Sequence, residues 1–183
     1  MAKKRLFVGI FTPLDFEEVK REVEELGVVG KWVERENLHV TLRFIGEVEE
    51  EKVPQIARML KGRLKGAPKV KLSYKGLGTF NRNGSPKVLW VGVEGEGLKE
   101  VKRRVDQALM PFGLTPEDEE SYKPHITLLR IKKLRRRGKF STVLFKMKEF
   151  DFGGKESSKV CLIESRLTPE GPVYKVVEEF PLG

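Results

Sequence analysis

Two short stretches hold the residues of this chain best suited to chemistry. LHVTLRF (38–44) places His39 two residues before Thr41, and PHITLLR (124–130) places His125 two residues before Thr127. These are the chain's only two histidines, 86 positions apart. A histidine acquires a following x-T-L by accident roughly once in a few hundred cases, and two such accidents are on the order of one in tens of thousands. The repetition therefore needs a cause. Imidazole titrates near neutrality, so of two rings at one reacting centre one can act as base while the other, protonated, acts as acid. Hydroxyls beside them can donate to non-bridging phosphate oxygens, where negative charge builds in the transition state. That set suits cleavage of a phosphodiester without a metal.

Strands are the elements that present such pairs. Side chains alternate along a strand, so Leu38, Val40, Leu42 and Phe44 turn to a core while His39 and Thr41 share the opposite face. In the second copy Ile126 and Leu128 face the core, and His125 and Thr127 point away together. A neutral hydroxyl needs cationic help, and Arg130 is the nearest candidate. Strict alternation puts Arg130 on the core face, so it reaches a phosphate only if the strand ends or bulges after Leu129. Arg43 has the parity of His39 and is expected at the rim of the cleft.

The surrounding pattern repeats as well. LFVGIF (6–11) reads as a strand, and Phe16, Val19, Val23 and Leu26 fall at helical spacing. GVVGKWVERENL leads into the strand HVTLRFIGEV, and Val53, Ile56, Ala57, Leu60 and Leu64 mark a second helix. Two strands, KVKLSYKGLGTF (69–80) and KVLWVGV (87–93), flank the turn-rich NRNGSP. A helix through Leu98, Val101, Val105 and Leu109 then precedes HITLLRI. Matching Gly9 with Gly92 leaves 30 residues to the first histidine and 33 to the second. FKMKEFDFGGKESSKVCLIESRL is expected to mirror the earlier pair as strand, glycine-rich turn, strand, and SRLTPEGPVYKVVEEF to close the chain as a hairpin. The whole, residues 1–183, reads as one catalytic domain of two related β-α-β lobes. Each contributes one H-x-T-L strand (38–45 and 124–131), and the lobes face each other across a cleft.

Other chemistries fit less well. There is no H-E-x-x-H, no C-x-x-C and no third histidine, whereas catalytic zinc generally takes three protein ligands. The glycines of YKGLGT and FDFGGK precede no G-K-[ST] and read as strand-connecting turns. Trp32 and Trp90 are assigned to the core; Phe11, Tyr122 and Phe80 are candidates to stack a base. The run KKLRRRGK (132–139) is either a solvated loop or a hold on an RNA backbone through its phosphates. An excess of nine positive charges favours an anionic partner. Two Gln, three Asn and one Cys against abundant Lys, Arg and Glu follow the trend of proteins from hot environments. Cys161 has no partner for an intramolecular disulfide and reads as a small buried residue. No signal peptide or membrane-spanning run is read, so the cytoplasm is expected, with a monomer as the default.

Paired H-x-T-h motifs in a duplicated lobe resemble the 2H phosphoesterase superfamily. RLFVGIFTP, WVERENLHVTLRFIGEV and YKPHITLLR are similar to its RNA 2′,3′-cyclic phosphodiesterases, also called 2′-5′ RNA ligases, over nearly the whole chain. The resemblance implies an α+β bilobal fold, with two antiparallel sheets lining a central cleft, helices outside and lobes related by a pseudo-twofold. It implies hydrolysis of RNA 2′,3′-cyclic phosphate ends, tRNA-derived ends among them, to 2′-phosphates, with 2′-5′ joining as the reverse. His39 would be the proton donor, His125 the proton acceptor, and Thr41 and Thr127 phosphate ligands, with no cofactor. Two alternatives remain open: a small cyclic nucleotide as substrate, and an RNA-end binding protein without turnover. Side-chain acid–base chemistry predicts activity undiminished by EDTA in a phosphodiesterase assay. Loss restored by added metal would contradict it.

Overall fold

The computed structural model describes residues 2–183. Strand β1 (Lys3–Phe11) is followed by α1 (Glu17–Glu24), β2 (Val29–Trp32), β3 (His39–Glu49) and α2 (Val53–Leu64). The second half continues with β4 (Val70–Arg82), β5 (Ser85–Glu96), α3 (Leu98–Leu109), β6 (His125–Lys133) and α4 (Arg137–Lys146), and ends with β7 (Asp151–Ser157), β8 (Lys159–Thr168) and β9 (Gly171–Pro181). The strands pair antiparallel throughout, in the order β7-β4-β5-β6-β3-β1-β8-β9, with β2 on β6. The fold is α+β, as expected, and its curled sheet has two halves of corresponding order.

Among the described residues, the two halves meet at one residue pair, Val40 opposite Ile126, each the residue directly after its histidine. β3 then leaves β6, and β2 takes over the same edge, with Trp32 opposite Leu129 and Lys31 opposite Arg130. The expected two sheets are thus joined through a single bridge. Helices α2 and α3 pack on each other, α3 also lies against β3, β4 and β5, and α1 meets α4. Leu38, Val40, Leu42, Ile126 and Leu128 are all fully buried in the core. Burying each contributes about 1.5–3 kcal/mol, which holds the motif strands against their helices.

Several expectations are corrected by the register. His39 pairs with Phe11 on β1, and His125 pairs with Gly92 on β5, so Gly92 corresponds to Phe11 and not to Gly9. The closing third does not mirror the β4–β5 hairpin: β7 pairs with β4 and β8 with β1, at separate places in the sheet. Residues 145–150 end α4 and lead into β7 instead of forming a strand. The glycines of YKGLGT and FDFGGK lie inside β4 and β7, not in turns. Gly76, at φ +79°, forms a bulge between Lys75 and Leu77, a backbone position that favours glycine. The turn proper is Asn83-Gly84, with φ +53° and +74°, as a tight hairpin requires. The run 132–139 is divided among the end of β6, a short connection and the start of α4.

Gly30 lies flat against β6: a Cβ there would run into the Arg130 carbonyl oxygen and crowd the Ile131 Cα. Gly30→Ala is expected to push β2 off β6 at a cost of about 1–3 kcal/mol in denaturant unfolding. Unchanged stability would mean that this contact is not maintained.

Candidate active site

A break in alternation builds the site on both motif strands. On β3, Val8 pairs with Arg43 and Gly9 with Thr41, so Leu42 is the extra residue of a bulge. On β6, Leu89 pairs with Leu129 and Trp90 with Thr127, so Leu128 bulges in the same way. Leu128 and Leu129 are consequently both buried. The residue five places after each histidine is thereby turned into the cleft. In one copy it is Arg130, in the other Phe44, which is 52% exposed. The bulge that brings Arg130 to the site comes just before Leu129, one residue earlier than the condition set from alternation. The same device removes Arg43 from the cleft face: it packs at 3.5 Å from Asp106 and 3.6 Å from Glu117.

His39, Thr41, His125, Thr127 and Arg130 all line one cavity of about 580 Å³. The Val40–Ile126 bridge explains the convergence. The residues flanking the bridge are His39 and Thr41 on one strand and His125 and Thr127 on the other, so both motif pairs are brought to one place.

Each ring is also oriented by its own backbone. His39 Nδ1 lies 2.8 Å from the Asn37 carbonyl oxygen, and His125 Nδ1 lies 2.7 Å from that of Lys123. A carbonyl only accepts, so Nδ1 carries a proton and donates, leaving Nε2 of each ring free. Aromatic contacts hold the ring planes. His39 lies 4.8 Å from Phe7 and 5.3 Å from Tyr174, and His125 lies 4.7 Å from Phe80 and 6.2 Å from Trp90, between ring centroids. Of the three expected stacking residues, Phe80 lines the cavity, while Phe11 packs with Phe7, Cys161 and Ile163. Tyr122 lines neighbouring grooves and bonds the Thr41 carbonyl. Trp32, expected in the core, stacks on Phe16 and also reaches the cavity. Cys161 is buried, as expected.

Alternation did not reveal Phe44, because the bulge at Leu42 reverses its face. Arg5, Lys31 and Tyr174 were missed because they come from β1, β2 and β9, whose approach to the cavity is tertiary. The Asn37 and Lys123 carbonyls carry no side-chain signal at all.

Burial lowers the pKa of His39 below its ordinary 6.5; the bond to Asn37 partly offsets this, and positive charge on His125 and Arg130 adds to the lowering. Burial lowers that of His125 too, opposed by the bond to Lys123 and reinforced by Arg130. An anionic phosphate between them would supply the counter-charge that both rings lack.

The AKAP7 2′5′ RNA ligase-like domain matches residues 15–182, and the chain belongs to that family, within the 2H phosphoesterases. It is 39% identical to an RNA 2′,3′-cyclic phosphodiesterase of Aquifex aeolicus, over 98% of this chain and 97% of the relative. It is 37% identical to one of Methanocaldococcus jannaschii, over 96% and 99% of the two chains. The crystal structure of TT0787 of Thermus thermophilus superposes with a TM-score of 0.74 at 29% identity, covering 97% of each chain. E. coli LigT complexed with 3′-AMP shares the fold at a TM-score of 0.70 and 21% identity, covering 99% of each.

Depressed folded-state values have a defined consequence. Above pH 6.5 the contribution of the neutral rings to stability is fully present. As pH falls from 6.5 toward the folded pKa values, the unfolded chain takes up protons first and stability declines. Both histidines are expected to titrate below 6.5 in NMR spectra of the free protein, and His125→Ala should raise the value of His39. A ring titrating above 6.5 would contradict this assignment.

Proposed function

We propose that this chain hydrolyses the 2′,3′-cyclic phosphate end of RNA to a 2′-phosphomonoester. The carrying observation is the single cavity that collects both histidines, both threonines and Arg130, with both Nε2 atoms left free by the backbone bonds of Nδ1. His125, neutral, takes a proton from water through Nε2 as the water oxygen attacks phosphorus. His39, protonated, gives its Nε2 proton to the departing 3′ oxygen, leaving a free 3′-hydroxyl and a 2′-phosphate. Thr41 and Thr127 donate to the non-bridging oxygens, and Arg130 supplies the positive charge that the hydroxyls lack. The assignment of acid and base to particular rings rests on the family resemblance. The names of the relatives support the substrate. With a 5′-hydroxyl in place of water, the reverse course joins a 2′-5′ linkage. These steps assign no role to a metal.

The surface beyond the cavity supports RNA over a small cyclic nucleotide. Arg130 and Lys132 are exposed along β6, Lys31 of the paired β2 lines the cavity, and exposed Arg135, Arg136 and Arg137 follow. Arg137 bonds Ser85 at 3.1 Å, which sets its guanidinium beside the β4–β5 hairpin. Such a track suits successive phosphates of a chain.

A short RNA ending in a 2′,3′-cyclic phosphate tests turnover, regiochemistry and substrate class together. A 2′-phosphate product is expected; a 3′-phosphate, or no conversion, would overturn the reading. His39→Ala and His125→Ala should each lose about 10²–10⁴-fold in kcat, the share of one proton transfer. Undiminished turnover in either variant would remove that ring from the mechanism.

A further inference from the structure

Outside the catalytic cavity, a partly buried polar cluster joins the two lobes. Lys102 and Asp106, one turn apart on α3, pair at 2.9 Å, and Lys102 meets Glu117 of the α3–β6 connection at 2.6 Å. Arg43 of β3 completes a balanced set of two cations and two carboxylates, so no desolvated charge is left alone. Tyr122, in the same connection, lies beneath Lys102, whose Nζ is 4.8 Å from the ring centroid. Its hydroxyl donates to the Thr41 carbonyl at 2.7 Å. Burial first, then the negative charge of Glu117 and Asp106, raises the Tyr122 pKa, which keeps that hydroxyl a donor.

The next residue, Lys123, supplies the carbonyl that fixes His125 Nδ1. Pro124 follows, with its φ fixed by the ring and its carbonyl accepting from Val93 N at 3.2 Å. Residues 115–121 are exposed. The connection is therefore attached to the opposite lobe at two points, Glu117 on Arg43 and, directly before Lys123, Tyr122 on the Thr41 carbonyl.

We propose that Tyr122 is a positioning residue: by bonding the Thr41 backbone of one lobe, it holds the Lys123 carbonyl that orients His125 of the other. It acts through Thr41 and His125, coupling a phosphate-binding strand to the ring across from it. The proposal rests on the cyclic phosphodiesterase reading for its kinetic consequence, but its structural part concerns the His125 ring alone.

Tyr122→Phe removes only the hydroxyl. On an RNA 2′,3′-cyclic phosphate it should lower kcat about 10–100-fold, the scale of a small misplacement, with KM within about twofold. The thermal midpoint should fall by only about 2–4 °C, as for one lost hydrogen bond. In ¹⁵N NMR the His125 ring nitrogens should move toward tautomer-averaged shifts while those of His39 stay in place. A residue that merely stabilises the fold would leave both rings alike. Wild-type kcat in folded Tyr122→Phe, or an unchanged His125 spectrum, overturns the proposal. An inactive wild-type protein would instead overturn the substrate reading, and the NMR comparison still decides the role of Tyr122. If Tyr122→Phe does not fold, Glu117→Gln loosens the same connection from its other anchor; a selective shift of His125 supports the proposal, and none overturns it.

Discussion

The backbone bridge between Val40 and Ile126 is the constraint on which the site depends. Among the described residues it is the only registered pair between β3 and β6, and it falls directly after both histidines. Had the pairing run the length of the two strands, their outward side chains would form one face of a flat sheet. Because β3 leaves β6 at once and β2 takes over the edge, the sheet opens next to the motifs. The cavity is the space created by that divergence.

The two bulges are alike, and the different residues they turn inward give the duplicated site its asymmetry. Leu42 and Leu128 each insert one buried residue, so the fifth position after each histidine faces inward. Arg130 makes one side cationic. Phe44 makes the other apolar, with the Arg5 guanidinium 5.1 Å from its ring centroid. A duplicated frame thus carries two different walls. Burial depresses the pKa of both rings. A phosphodiester anion between the rings would oppose this by stabilising an imidazolium, so that binding and protonation would favour each other.

Much of this was legible in the residues, and the exceptions have physical reasons. Helix α2 was readable over Val53–Leu64 because its apolar residues keep the helical period. His39, Thr41, His125 and Thr127 were readable because identical spacing on two strands is improbable by chance and places each pair on one face. Helix α4 was hidden because a basic run opens it and Phe145, 76% exposed, blurs its apolar stripe. Arg43 and Phe44 exchange faces because a bulge leaves no mark in a pattern of period two. The wrong correspondence of Gly9 with Gly92 has a similar origin: equal residue types suggested a register that the ladder sets two residues away.

The central claim is that Nε2 of both imidazoles addresses a single phosphorus. A crystal structure of the protein with a uridine 2′,3′-cyclic vanadate mimic of the pentacoordinate state tests it most directly. The account predicts His39 Nε2 and His125 Nε2 on opposite apical oxygens of the same vanadium, each within about 2.6–3.2 Å. One ring turned away, or both rings gathered on the same side of the vanadium, would contradict it.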